Sequence, residues 1–413
     1  MTQIRVRVGD FQLGQREKEA IYAVLDSGRL SEGAKVREFE RKWAAYVGTE
    51  RCVATSSGSA ALIAALTAFK YLGRGGSETR PCKDGGKVLT TPLTYIATSS
   101  AINSVGWQPV FVDVDPQTFA ITPENIEAHL RQAPDPGSYA LILPVHLMGY
   151  PADMDAIKEI GRRYGIPVAE DSAQAHGTLY KGRKTGSLGI FGAFSFYIAH
   201  NTQAGEMGAV TTDDPKIDRL VRKIKAQGRA CDCPVCVRAE GRCPRLSAAR
   251  DDDDYDPRFT HEMIGYNFKT MEFQAALGIT QLERADWIVA QRQRNVRFLN
   301  EHLQPYSDIL QLPPYSDEVS YLAYPLVIKR PEVISRKELR QRLEAKGVET
   351  RPLFGCIPTQ QPAYAYLKEQ YEGRLPHAEY LGRHAFYLGC HQYLQEEDLA
   401  YMVEVLTGIL GNL

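Results

Sequence analysis

"CVATSSGSAALIAALTAF", residues 52–69, begins as a short apolar run, turns through serines and a glycine, and continues as a long run of small and apolar residues. That is a strand handing over to a helix, the unit from which an α/β sheet is built. Upstream, "REKEAIYAVLDSG" and "VREFERKWAAYVG" carry helical patterning, and each is ended by Gly. Downstream, "KVLTTPLTYIATSSAINSVG", "PVFVDVD", "YALILPVHLMG", "IPVAEDSAQAHG" and "GAFSFYIAH" supply β-rich runs, with helical segments such as "DMDAIKEIGRRYG" between several of them. Strands alternating with helices predict a mainly parallel sheet flanked by helices, and in such sheets ligands gather at the carboxyl ends of the strands.

Residues 228–262 break this rhythm with Cys, Arg and Asp, including "DDDDYD", and read as a surface excursion; "KYLGRGGSETRPCKDGG" (70–86) reads as a surface loop. After a long helical stretch beginning "GYNFKTMEFQAALG", the strand "YLAYPLVIK" and the helices "SRKELRQRLEAKG" and "EEDLAYMVEVLTGIL" suggest a smaller α+β domain. The expected division is a large domain over 1–300 and a small one over 301–413.

Composition excludes more than it assigns. The 413 residues are 44% apolar and 24% charged, ordinary for a globular chain, and a formal net charge of −1 gives no electrostatic case for a nucleic-acid or membrane partner. "MTQIRVRVGD" lacks an apolar signal core and no stretch approaches a membrane span, so a cytoplasmic enzyme is the expectation.

Three places point to chemistry. In "TSSGSAAL", Ser57, Gly58 and Ser59 lie where a strand meets a helix; free N–H groups and the positive helix end make an anion cup there, although a plain helix cap reads the same. Asp171 ends "IPVAED", a costly place for a carboxylate without a cation, and a protonated ring nitrogen is one such partner; a capping Asp is the alternative. Tyr95 in "LTYIAT" is placed either to cover a flat ligand or to fill the core. A phosphate cup, an acid for a ring nitrogen and an aromatic lid together suggest pyridoxal phosphate.

In order along the chain, "FERKWAAYVG", "TSSGSAALIAAL", "PLTYIATSSAI", "PVFVDVD", "PVHLMGYPADMDAI", "AEDSAQAHG", "GAFSFY" and "GYNFKTMEFQAALG" resemble the nucleotide-sugar aminotransferase family, the DegT/DnrJ/StrS group. The resemblance spans the chain except 70–86 and the cysteine segment. It implies the fold-type I pyridoxal-phosphate transferase architecture, with a mainly parallel seven-stranded sheet. By the same resemblance Gly58, Ser59 and Ser195 hold the cofactor phosphate, Tyr95 stacks on its ring, Asp171 pairs with its nitrogen and Gln174 neighbours its hydroxyl. Asn267 would reach the phosphate across a homodimer interface, and Arg351 of "GVETRPLFGCIP" begins the stretch lining the sugar-nucleotide side, where a surface Arg is the plain alternative.

One position departs. Where family aminotransferases carry the lysine that captures the cofactor, "SFYIAH" places His200, and Glu206 follows six residues later. This is similar to the "AHH…GEGG" pattern of the NDP-4-keto-6-deoxyhexose 3-dehydratases, from which Asn201 and Met207 depart. Without an amine in the protein, pyridoxamine phosphate can stay bound, and an imidazole of ordinary pKa about 6.5 has both protonation states accessible near neutrality, whereas a lysine near 10.4 would recapture the cofactor. The resemblance therefore implies a dehydratase that removes the C3 hydroxyl of a nucleotide-linked 4-ketohexose, with His200 as acid and base. A pseudoenzyme that lost the lysine is one alternative; an aminotransferase using another lysine, Lys181 or Lys184, is the other.

Four of the eight cysteines, Cys231, Cys233, Cys236 and Cys243, crowd into "CDCPVCVRAEGRC". The segment resembles the [2Fe–2S] region of the CDP-sugar dehydratase, but the family's remaining ligand falls at Ala173. A zinc site, a rearranged cluster and no metal all stay open. With a cluster, a reductase partner is implied; without one, glutamate is the expected amino donor.

Overall fold

A computed structural model describes residues 4–72, 85–231, 233 and 256–413. In chain order its first strands are β1 (Arg51–Thr55), β2 (Lys87–Thr90), β3 (Gln108–Phe111), β4 (Tyr139–Leu143), β5 (Glu170–Asp171), β6 (Leu179–Tyr180), β7 (Arg183–Lys184), β8 (Gly192–Ser195) and β9 (Gly208–Thr212). Strands β3, β2 and β4 pair in parallel, and the parallel bridges Ile142–Val168 and Val145–Asp171 carry β4 onto β5. Strand β8 runs parallel to β5, and β9 runs antiparallel to both β8 and β1. The three- and four-stranded ladders thus form one sheet in the order β3-β2-β4-β5-β8-β9-β1, the expected seven strands with only β9 reversed. Strands β6 and β7 form a separate hairpin.

The helices preceding residue 310 are α1 (Gln15–Asp26), α2 (Ala34–Val47), α3 (Gly58–Leu72), α4 (Ala97–Ser104), α5 (Pro123–Gln132), α6 (Met154–Tyr164), α7 (Pro215–Ile224), α8 (Glu272–Leu282) and α9 (Ala285–Leu303). One apolar core joins α3, α4 and α7 to the sheet through Ala61, Leu66, Ile102, Val210 and Leu220. Opposite it, Phe39, Trp43, Phe194, Phe196 and Met207 form a second core under α2 and α8. Glu272, at the start of α8, accepts the N–H groups of Gly33, Lys35 and Val36 at 2.8–2.9 Å. It thereby caps α2 from a distant part of the chain.

Two expectations are corrected. The run "KVLTTPLTYIATSSAINSVG" is a strand only over β2; Pro92 cannot continue a ladder, and 97–104 coil into α4 with Thr98, Ser99, Ala101 and Ile102 inward. The long stretch after Gly265 is two helices, broken at Glu283 and Arg284.

Residues after 303 build a second, antiparallel sheet, β10 (Leu310–Gln311), β11 (Tyr324–Ile328), β12 (Arg351–Pro352) and β13 (Ala385–Leu388), in the order β10-β11-β13-β12. Helices Arg336–Ala345 and Glu396–Leu410 bury Leu339, Leu343, Met402 and Leu406 in the core beneath it. The N-terminal residues join this part of the molecule: Arg5 and Val6 donate to the Gly347 carbonyl, and Glu349 donates back to Val6. Helix α9 runs through residue 300. Among the described residues no helix is long and apolar enough to cross a membrane.

Candidate functional site

The carboxyl ends of β1, β5 and β8 converge. At β1, the Ser57 hydroxyl accepts from Ala60 N–H at 3.1 Å and so caps α3, while the N–H groups of Gly58 and Ser59 keep no acceptor within the helix. The turn is thus a helix cap, and it leaves two N–H groups without an acceptor in the helix. Gly58 is required by close approach: a Cβ there would lie 2.4 Å from the Cβ of Ser195 at the end of β8. Gly208 is tighter, since its Cβ would meet the Ser57 carbonyl at 2.1 Å. The two glycines let Ser57, Gly58 and Ser195 form one small, polar concavity at a helix N-terminus.

At the end of β5 two carboxylates follow one another and differ in circumstance. Glu170, fully buried, accepts from Gly186, Leu188 and Gly189 N–H at 2.6–2.7 Å and faces His146 Nε2 at 3.0 Å. Because His146 Nδ1 accepts from Ala152 N–H, its proton sits on Nε2 and points at Glu170. Asp171, 3% exposed, has only the Thr98 hydroxyl at 2.8 Å and Ala173 N–H at 3.2 Å. Burial pushes its pKa up, against the opposing help of Thr98, Ala173 and His146. It caps no helix. A buried carboxylate held by two neutral donors is suited to a cation brought by a ligand. Thr98 was missed in the sequence because "TYIATSS" looked extended; in α4 it lies one turn beyond Tyr95, on the side facing Asp171.

Tyr95 is 61% exposed, so it is not the core aromatic that remained possible from sequence; its ring meets Phe354 at 5.9 Å, edge to face. Gln174 is buried, with Oε1 accepting from Met148 N–H at 3.1 Å. Ser59 and Asn267 are exposed; the Phe268 carbonyl beside Asn267 accepts from Ser56 N–H at 2.8 Å, which sets Asn267 close to the β1 turn. Arg351 is exposed and turned to Glu349 and the Thr350 carbonyl. Its neighbour Phe354, rather than its own guanidinium, reaches the Tyr95 side.

Beyond β8, residues 197–206 loop out and return, closed by Phe196 N–H to Met207 and Ala204 N–H to Phe196 at 2.8 Å. His200 lies on this loop, half-buried, with Nδ1 shielded from solvent and unpartnered among the described residues. Its pKa is pushed down to about 4, first by desolvation and then by the charge of Arg292, against a small opposing pull from the Ser195 carbonyl. His176 lies 5.9 Å away, ring to ring, packed among Trp43, Phe194 and Phe196. His176 Nδ1 accepts from Thr202 N–H, and its pKa too is lowered by burial. Lys181 pairs with Asp155, and Lys184 lies over the Tyr46 ring, both on the β6–β7 hairpin.

Cys231 and Cys233 are half-buried; Cys236 and Cys243, like most of the 70–86 loop and of the 228–262 excursion, fall outside the described residues. At the place where a further thiol ligand was expected, Ala173 gives Asp171 a backbone N–H instead.

The lipopolysaccharide biosynthesis protein RfbH of Salmonella typhimurium is 30% identical over 402 residues, covering 97% of this chain and 90% of its own. Among solved structures, the E. coli GDP-4-keto-6-deoxy-D-mannose-3-dehydratase with bound hydrated PLP superposes with a TM-score of 0.85 at 25% identity, covering 98% of this chain and all of its own. The aminotransferase from Psychrobacter cryohalolentis superposes with a TM-score of 0.82 at 28% identity, over 97% and 98% of the two chains. The profile of the DegT/DnrJ/EryC1/StrS aminotransferase family matches residues 12–407, and the chain belongs to that family.

Proposed function

We propose that this protein is a pyridoxamine-phosphate-dependent dehydratase that removes the C3 hydroxyl of a nucleotide-linked 4-keto-6-deoxyhexose. The observation that carries the reading is His200: an imidazole with a buried, unpartnered Nδ1 stands on the loop where a captured cofactor would need a lysine. The two hairpin lysines are engaged with Asp155 and Tyr46, which weighs against the aminotransferase alternative.

The residues present fit the cofactor. Asp171 is a buried carboxylate with no cation among the described residues, suited to a protonated ring nitrogen; Gly58, Ser59 and Ser195 offer N–H and hydroxyl donors to a phosphate; Tyr95 offers an exposed ring face; Gln174 would neighbour the ring's hydroxyl. When bound, pyridoxamine phosphate supplies an amine for the sugar's C4 ketone and a ring that accepts an electron pair. His200, neutral at pH 7 because burial and Arg292 disfavour its charge rather than split between two states as an ordinary imidazole would be, would accept a proton from the cofactor's C4′ carbon. It would return that proton to the oxygen leaving C3, so one group could serve as base and acid in turn. A second copy of the chain placing Asn267 at the phosphate, and glutamate as the amine source, complete the reading.

The test is incubation of the pyridoxamine-phosphate-loaded enzyme with GDP- and CDP-linked 4-keto-6-deoxyhexoses. Wild type should release a 3-deoxy ketosugar, and His200→Asn should slow release by about 10²–10⁴-fold. A borohydride-reducible lysine adduct in wild type, or full turnover in His200→Asn, would overturn it.

A further inference from the structure

Arg292, on α9, is 2% exposed, yet among the described residues no carboxylate pairs with it. Its Nη1 donates to the carbonyls of Tyr321 at 3.1 Å and Leu322 at 2.7 Å, and its Nε donates to Gln392 Oε1 at 3.2 Å. A buried cation held by neutral oxygens and the Cys390 thiol is expensive, and the cost points to a role beyond packing.

The turn it holds is unusual. Tyr321 has φ +44, a left-handed backbone that bulky residues avoid and that persists only where surroundings impose it. Next to it, Ser320 exchanges hydrogen bonds with the Thr178 hydroxyl, and its carbonyl accepts from Asn201 Nδ2 at 3.0 Å. Asn201 is the residue after His200 and is 1% exposed. A continuous set of contacts therefore runs from Arg292 through residues 320–322 to the loop bearing His200. The groups around that imidazole are His176, Tyr197 and Arg292; around Arg292 itself lie the Cys390 thiol, Tyr393 and His391, with Asp10 beyond His391.

Building on the dehydratase reading, we propose that Arg292 is a positioning residue for His200: it fixes the loop through the strained 320–322 turn and, buried without a carboxylate partner among the described residues, bears on the charge the imidazole can carry. Substituting the guanidinium, or placing a carboxylate beside it, relieves one of the two influences that keep His200 neutral; burial remains.

Titrating the full, cofactor-free chain with isotope-labelled histidines tests this, the His200 resonance being identified by its loss in His200→Asn. Wild-type His200 should take up its proton near pH 4. In Arg292→Met, and in Gln392→Glu, which keeps the guanidinium and its contact but cancels its charge, the midpoint should move upward, part of the way toward about 6.5. The acid limb of the dehydration pH profile should move in the same direction. An unmoved His200 midpoint in Gln392→Glu would overturn the proposal while leaving the dehydratase reading intact; a moved midpoint in an enzyme that dehydrates no sugar would uphold the role of Arg292 and sink that reading instead.

Discussion

Glu170 and Asp171 are consecutive, equally acidic and both buried, yet only their partners tell them apart. Three N–H groups and an imidazole satisfy Glu170, whereas Asp171 has a hydroxyl and one N–H. The first is held as part of the sheet; the second keeps unmet demand for a cation. Asp171→Asn should therefore weaken cofactor binding by about 10–100-fold, since a charge-assisted hydrogen bond to the ring is replaced by a neutral one. The cofactor-free variant should melt no lower than wild type, because it no longer buries an uncompensated carboxylate. Cofactor titration followed by absorbance, beside thermal melts of the apo proteins, checks both halves. That Asp171 ends a strand was legible in sequence. That Thr98 holds it was not, because a run of Thr, Tyr and Ile has β propensity while burial of Ala101 and Ile102 pulls the same residues into a helix.

At the level of the element, the β1–α3 turn works only because two neighbours lack side chains. A Cβ on Gly58 would lie 2.4 Å from that of Ser195, and one on Gly208 would lie 2.1 Å from the Ser57 carbonyl. Backbone cannot yield as a side chain does, so Gly208→Ala should cost about 1–3 kcal/mol and displace the α3 N-terminus from Ser195. Denaturant unfolding measures the first effect, and loss of affinity for inorganic phosphate and the phosphorylated cofactor measures the second. The strand-turn-helix itself was plain from "CVATSSGSAALIAALTAF", since its apolar run, small residues and serine cap all agree. Its match to β8 across more than a hundred residues was not.

For the whole molecule, acid is the informative stress. Burial and Arg292 push His200 and His391 down to about 4, and His176 is lowered as well. Below about pH 6.5 the unfolded chain binds protons at these sites that the folded chain refuses, so stability falls as pH drops from about 6.5 toward 4. Asp171, raised by burial, takes its proton more readily folded than unfolded and opposes the trend at the acid end, whereas His129 and His384, also lowered, add to it. His391, 4% exposed, alone accounts for on the order of 2 kcal/mol by pH 5. Thermal melts should shift down from pH 7 to pH 5, and the shift should shrink in His391→Gln; an equal shift in that variant would contradict the assignment.

Taken by itself, the chain's sequence determined the alternating strands and helices and the small glycine-bearing turn, because each is written in local pattern and spacing, while the resemblance to a family supplied the contrast between His200 and a lysine. Only the tertiary structure decided that Tyr95 is exposed, that Arg351 turns away to Glu349, that Asp171 accepts from fewer donors than Glu170 among the described residues, and that Arg292 lies buried near His200. Exposure and electrostatic environment depend on which distant segments pack together. Any of the three arginines in "QRQRNVR" looks the same in sequence whether its helix face meets water or the carbonyls of a turn some thirty residues away.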